Sequence, residues 1–163
     1  MIARPLALLR ADRRLQFALA IVIVAGLAFA WWTISPLFLT TATVETGSAV
    51  TGGRVIARGQ LAVVDSVHKG SGPVEIAEVG GKRVVRFLDV AIQNGPDLHV
   101  YLGRGGGGAY DGGRDLYVGA LKATNGTFSY EIPASVNVGD YRSVIVWCRA
   151  FFTLFTYADL RSP

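Results

Sequence analysis

The sequence has one cysteine, one methionine and two histidines among 163 residues, and only 17% of its side chains are charged. A single thiol excludes a disulfide framework and a four-cysteine zinc site. The sparse charge, against about a quarter in an ordinary globular domain, and a mean hydropathy of +0.39 exclude a disordered chain. No amphipathic helix longer than two turns is visible after residue 40. There is no Walker motif, no nucleophile elbow and no H-E-x-x-H pair. The twenty glycines follow no triplet repeat, which excludes a collagen-like chain.

Charge is present but unevenly placed. The net charge is +4. Residues 1–14 hold Arg4, Arg10, Arg13 and Arg14 against Asp12, a net +3, whereas residues 45–163 hold twelve Lys and Arg against eleven Asp and Glu. The basic isoelectric point therefore belongs to a short arm. A nucleic-acid surface needs the excess clustered on the domain, so no nucleic-acid partner is expected.

The arm precedes Leu15–Trp32, eighteen residues without a charge. As a helix this stretch is about 27 Å long, and with the apolar residues up to Leu39 it suffices for a bilayer core of about 30 Å. Residues 15–39 are read as a transmembrane anchor in contact with membrane lipid. Arginines before the segment and none until Arg54 place residues 1–14 in the cytoplasm and the remainder outside. A cleaved secretory signal is the rival, with Ala28-Phe29-Ala30 as its site. Trp31 and Trp32 just beyond it, and the length of the run, favour an uncleaved anchor. Residues 40–58, rich in Thr, Gly and Val, read as a linker that lifts a domain of residues 59–160 off the membrane.

That domain is all-β in its signals: short β-branched and aromatic runs punctuated by Gly, Pro and Asn. The runs are Gln60–Val64, Pro73–Val79, Arg83–Gln93, Asp97–Gly103, Asp115–Ala123, Thr127–Ile132, Ser143–Arg149 and Phe151–Tyr157. Asn125-Gly126 reads as a two-residue hairpin turn between the fifth and sixth. Eight runs at this spacing predict an antiparallel β-sandwich or small barrel. Gly103–Gly113 holds seven glycines in eleven positions. It formally contains G-x-G-x-x-G, but a strand follows where a dinucleotide site needs a helix, so it reads as a hairpin loop.

Several segments occur in order: Ser66-Val67-His68-Lys69-Gly70-Ser71-Gly72, then Asn94-Gly95-Pro96-Asp97-Leu98-His99-Val100-Tyr101-Leu102. Gly126–Pro133, Tyr141–Cys148 and Phe151–Leu160 follow. With Gly59-Gln60-Leu61 before them, these resemble the DM-thirteen domain family, also called the electron-transfer DM-thirteen family, over nearly all of residues 59–160. Leu61 departs from the aromatic usual in the pattern. The resemblance implies a β-sandwich-like module, and a redox role for the family's single cysteine falls on Cys148.

Read from the residues alone, Cys148 shares a strand face with Val144 and Val146. A buried thiol is an inert small hydrophobe; a redox thiol needs solvent access and a lowered pKa. His68, Asp97, His99 and Trp147 are the candidate binding residues. His99 alternates away from Leu98 and Val100, and His68 sits in a glycine-flanked turn. Separations of 31 and 49 residues among His68, His99 and Cys148 match no local metal spacing. Copper lacks its axial Met, and haem lacks a His-Met pair or a C-x-x-C-H motif, so no cofactor follows from spacing. Three functions remain: an extracytoplasmic redox or electron-transfer module using Cys148 with a protein partner; a non-catalytic binding or assembly module of the envelope; and, last, an envelope hydrolase, which no paired catalytic residues support. A classical enzyme is therefore not the expectation.

Overall fold

The computed structural model describes residues 13–35, 41–45 and 51–163. The chain divides into two compact units at Phe38/Leu39. The first contains α1 (Arg13–Ile34), 22 residues or about 33 Å of helix. Its most apolar 18-residue window has a mean hydropathy of 2.1, and Phe17, Ile21, Val24 and Phe29 are all exposed. It is thus long and apolar enough to cross a bilayer and has no polar face toward water.

The second unit is a sandwich of two sheets. Its strands are β1 (Ala42–Val44), β2 (Arg54–Gln60), β3 (Gly70–Ser71), β4 (Pro73–Val79), β5 (Lys82–Ile92), β6 (Leu98–Gly103), β7 (Leu116–Ala120), β8 (Asn125–Ile132), β9 (Ser143–Cys148) and β10 (Thr153–Asp159). One sheet has the order β1-β8-β5-β4-β2, with β3 also on β5; the other has the order β10-β9-β6-β7. Period-two alternation sets the core. Val74, Ile76, Val85, Phe87, Phe128, Tyr130 and Ile132 from one sheet face Leu98, Val100, Leu102, Val144, Val146 and Cys148 from the other. Phe87 and Phe128 stack at 4.9 Å, and Tyr130 meets Phe87 edge-on. Such aromatic pairs add about 0.5–1.5 kcal/mol beyond their burial.

Three expectations are corrected here. Residues 40–58 are not a free linker. β1 pairs in parallel with β8, β2 pairs antiparallel with β4, and Glu45 accepts hydrogen bonds from Ser129 and Lys122. Neither β1 nor β2 buries a side chain fully, so they carry few apolar core residues and read as linker. Within the expected linker, residues 40 and 46–50 lie outside the described residues, as do residues 1–12 of the arm and 36–39 of the expected anchor. The expected first strand, Gln60–Val64, ends at Gln60, and residues 61–69 form a loop. Asn125-Gly126 is not a hairpin turn: β7 pairs with β6 in the other sheet, and Asn125 and Gly126 already lie in β8 opposite β1. Gly126 has φ +111°, and a Cβ there would collide with the Thr43 carbonyl, so glycine serves close strand approach rather than a turn.

The connections between the sheets fix which loops share an end. Backbone hydrogen bonds run from Thr124 to Thr41 (2.9 Å), Ile92 to Thr124 (2.7 Å), Gln93 to Lys69 (2.9 Å), Leu121 to Leu98 (2.8 Å) and Arg149 to Asp97 (3.0 Å). The chain's entry into the sandwich at Thr41, the loop 61–69, the connections 93–97 and 121–124, and the β9–β10 turn 149–152 therefore lie at one end. The Gly80-Gly81 turn and residues 133–142 lie at the other.

Candidate functional site

The outer face of the four-stranded sheet carries the main cluster of polar and aromatic chemistry among the described residues. Alternation turns Leu98, Val100 and Leu102 inward, and so His99 and Tyr101 outward. On the next strand it turns Cys148 inward and Trp147, which pairs with His99, outward. β7 adds Tyr117, and the β6–β7 loop folds Tyr110 back over the face. Tyr110 stacks on Trp147 at 4.3 Å with ring planes 21° apart, and meets Tyr101 edge-on at 4.9 Å. Tyr101 and Tyr117 lie 5.4 Å apart.

Polar contacts tie this patch together. Asp97 Oδ1 lies 2.7 Å from His99 Nε2, and His99 Nδ1 lies 3.2 Å from the Tyr117 hydroxyl. Arg149 Nε donates to the Tyr101 hydroxyl at 2.6 Å, and its guanidinium lies 4.4 Å from the Tyr117 ring centroid, a cation–π geometry. The bond to Tyr101 holds the Arg149 pKa above its ordinary value. Burial, then the hydrogen bond with Tyr101, pushes the Tyr110 phenol up to about 12. The patch lines a shallow hollow of about 510 Å³ with Tyr101, Tyr110, Tyr117, Trp147, Arg149 and Phe152. A larger hollow of about 560 Å³ lies along β2 and β10 and holds none of the candidate residues.

The structure therefore brings together three of the four expected binding residues, Asp97, His99 and Trp147. It adds Tyr101, Tyr110, Tyr117 and Arg149, which the sequence reading missed. Tyr101 and Arg149 were findable, because alternation turns them to the face of His99 and Trp147; Tyr110 arrives from a loop that alternation does not describe. His68 stands apart. Its Nδ1 lies 2.7 Å from Asp65 Oδ2, and its ring packs edge-on at 4.8 Å against Phe155. It clasps the loop 61–69.

Cys148 is fully buried, opposite Leu98 on one side and Thr153 on the other. It belongs to the core cluster with Val146 and Phe155, while His99 lies on the reverse face of the same sheet. His68, His99 and Cys148 are not assembled into one set. Among the described residues, no group of three His, Cys, Asp or Glu side chains is placed to hold a metal ion.

These features define a two-sheet β-sandwich with a thiol in its core and an aromatic face outside, following a long apolar helix. The family model described as Electron transfer DM13 matches residues 62–160, and the chain belongs to that family. No curated protein and no solved structure matches it.

Proposed function

We propose that this chain is a membrane-tethered, extracytoplasmic electron-transfer module that works by holding a redox protein of the envelope against the outer face of β10-β9-β6-β7. α1 is the uncleaved anchor, with the basic arm in the cytoplasm. The observation that carries the reading is the patch itself. Trp147, Tyr110, Tyr117 and Arg149 are the residue types that dominate binding energy at protein interfaces. Here they are held by stacking and by the Arg149–Tyr101 bond. A preordered patch loses little side-chain entropy on binding. The buried thiol supports the sheet from inside; it is not placed for disulfide exchange with a partner.

A photo-crosslinker replacing Tyr117 in the full chain tests this. It should give an adduct with a redox-cofactor protein, reduced about thirtyfold by Trp147→Ala or Arg149→Ala, since truncating a binding hot spot costs about 2 kcal/mol. Cys148→Ala should leave the adduct intact. Loss of the adduct in Cys148→Ala at unchanged melting temperature would overturn the reading. Protection of residues 45–163 from protease added outside spheroplasts would overturn the orientation.

A second reading keeps Cys148 as the redox atom. Cys148 is the last residue of β9, so opening of the 149–152 turn would expose it. Thiol labelling under native conditions at a rate far above global unfolding favours this reading. Labelling only on denaturation excludes it.

A further inference from the structure

The end of the sandwich where the chain enters carries an apolar surface that adjoins the aromatic patch, whose hollow Phe152 also lines. At the β9–β10 turn, Phe151 and Phe152 are 63% and 82% exposed. On the loop 61–69, brought to the same end by the Lys69–Gln93 bond, Val63, Val64 and Val67 are exposed as well. Among the described residues, the large apolar side chains exposed on the sandwich outside these two loops are Val44 and Tyr117. Phe152 also sits at φ +50°, a backbone region that a bulky side chain rarely adopts. Neither exposure nor backbone strain in a Phe-Phe turn is explained by packing within the domain.

The length of the tether identifies the occupant. Between Ile34, the last residue of α1, and Ala42, the first of β1, there are only seven residues, which span at most about 25 Å. With α1 as an anchor, the tether keeps the entry end within that distance of the bilayer surface and places no such bound on the Gly80-Gly81 end. We infer that this end of the sandwich docks on the membrane, with Phe151, Phe152 and the valines of residues 61–69 inserted at the lipid headgroup boundary. Aromatic and aliphatic side chains partition into that zone without crossing it. The domain is thereby seated on the bilayer at a fixed end, not lifted from it, and the aromatic patch on its flank is presented sideways to partners in the same membrane. The inference rests on the tethered reading above.

The test uses the full chain in phosphatidylcholine vesicles, in a Cys148→Ala background. A fluorophore is placed at Ala150→Cys, beside the two phenylalanines, or at Ser135→Cys, at the far end. Nitroxide lipids labelled near the headgroup should quench the first label about threefold more than the second, as interfacial insertion requires. The double variant Phe151→Ser/Phe152→Asn should lose that excess. Asn tolerates φ +50°, so the variant keeps the turn and its melting temperature reports that the fold is intact. Equal quenching at both positions in chain that resists alkaline carbonate overturns docking alone. Release by carbonate overturns the tether beneath it. Energy transfer between labelled copies, without quenching by lipid, would show that a second chain covers the end and would also overturn docking.

Discussion

At the scale of single residues, strand parity decides most of what the site contains. Cys148, Val146 and Val144 share a face because they are two apart, and Trp147 must then face the other way. Parity could not say which face meets the second sheet. That depends on residues far away in sequence, and it is why the thiol's environment was undecided before the fold was known. His68 shows the same limit. Its turn was legible from the flanking glycine, but its role as a clasp needed Asp65 and Phe155. Asp65 accepts from His68 Nδ1 and from the backbone N–H groups of His68 and Val67, and the His68 bond foremost holds its carboxyl down to about 2. A carboxyl depressed from 3.8 stabilises the loop fully above its unfolded pKa, and that stabilisation is lost as pH falls through about 2. The carboxyl carbon resonance of Asp65 should therefore titrate near 2, and Asp65→Ala should speed amide exchange at Val67 and His68. A midpoint near 4 would remove the clasp from the account.

At the scale of elements, the central strands and the edge strands β7 and β10 were legible, and the edge strands β1 and β2 were not. β4, β5, β6 and β9 carry enough β-branched and aliphatic residues to announce themselves. β5 was read as one unbroken run, yet its core positions shift from Val85 and Phe87 to Val90 and Ile92. A bulge at Asp89, φ +48°, inserts the extra residue, and the Asp89 N–H donates to Thr127 Oγ1 at 2.9 Å. No local signal in the sequence marks that change of parity. β1 and β2 were passed over because each buries only part of one face. Gly126 supplies the test of β1. Gly126→Ala meets both an unfavourable φ and the Thr43 carbonyl, so it should destabilise the domain by about 2 kcal/mol or detach β1. Denaturant unfolding measures the first outcome, and faster exchange of the Thr124 and Asn125 amides, which donate to Thr41, reports the second. A variant as stable as the parent would mean that β1 contributes nothing.

At the scale of the whole molecule, the β unit begins at the strands that looked like a tether. A chain starting at Thr41 should give one cooperative thermal transition, because all ten strands remain. A chain starting at Gly59 lacks β1 and nearly all of β2. It loses the edge cover of β4 and β8, the Glu45 contacts to Ser129 and Lys122, and the Gly52 carbonyl that accepts from Arg86. That shorter chain should lose the sharp transition when followed by circular dichroism. Equal transitions for both would restore the linker reading.

Composition and pattern by themselves determined an apolar helix after a basic arm, an all-β domain behind it, and which side chains share a face along a regular strand such as β9. These follow from hydrophobicity and from the two periodicities of the backbone, which are local properties of the chain. Only the tertiary structure decided that Cys148 is sealed, that Tyr110 folds over the face begun by His99 and Trp147, and that Val67 and Phe152 share the end where the chain enters. Those are meetings of segments dozens of residues apart, set by strand order and connection geometry, and no local pattern encodes them.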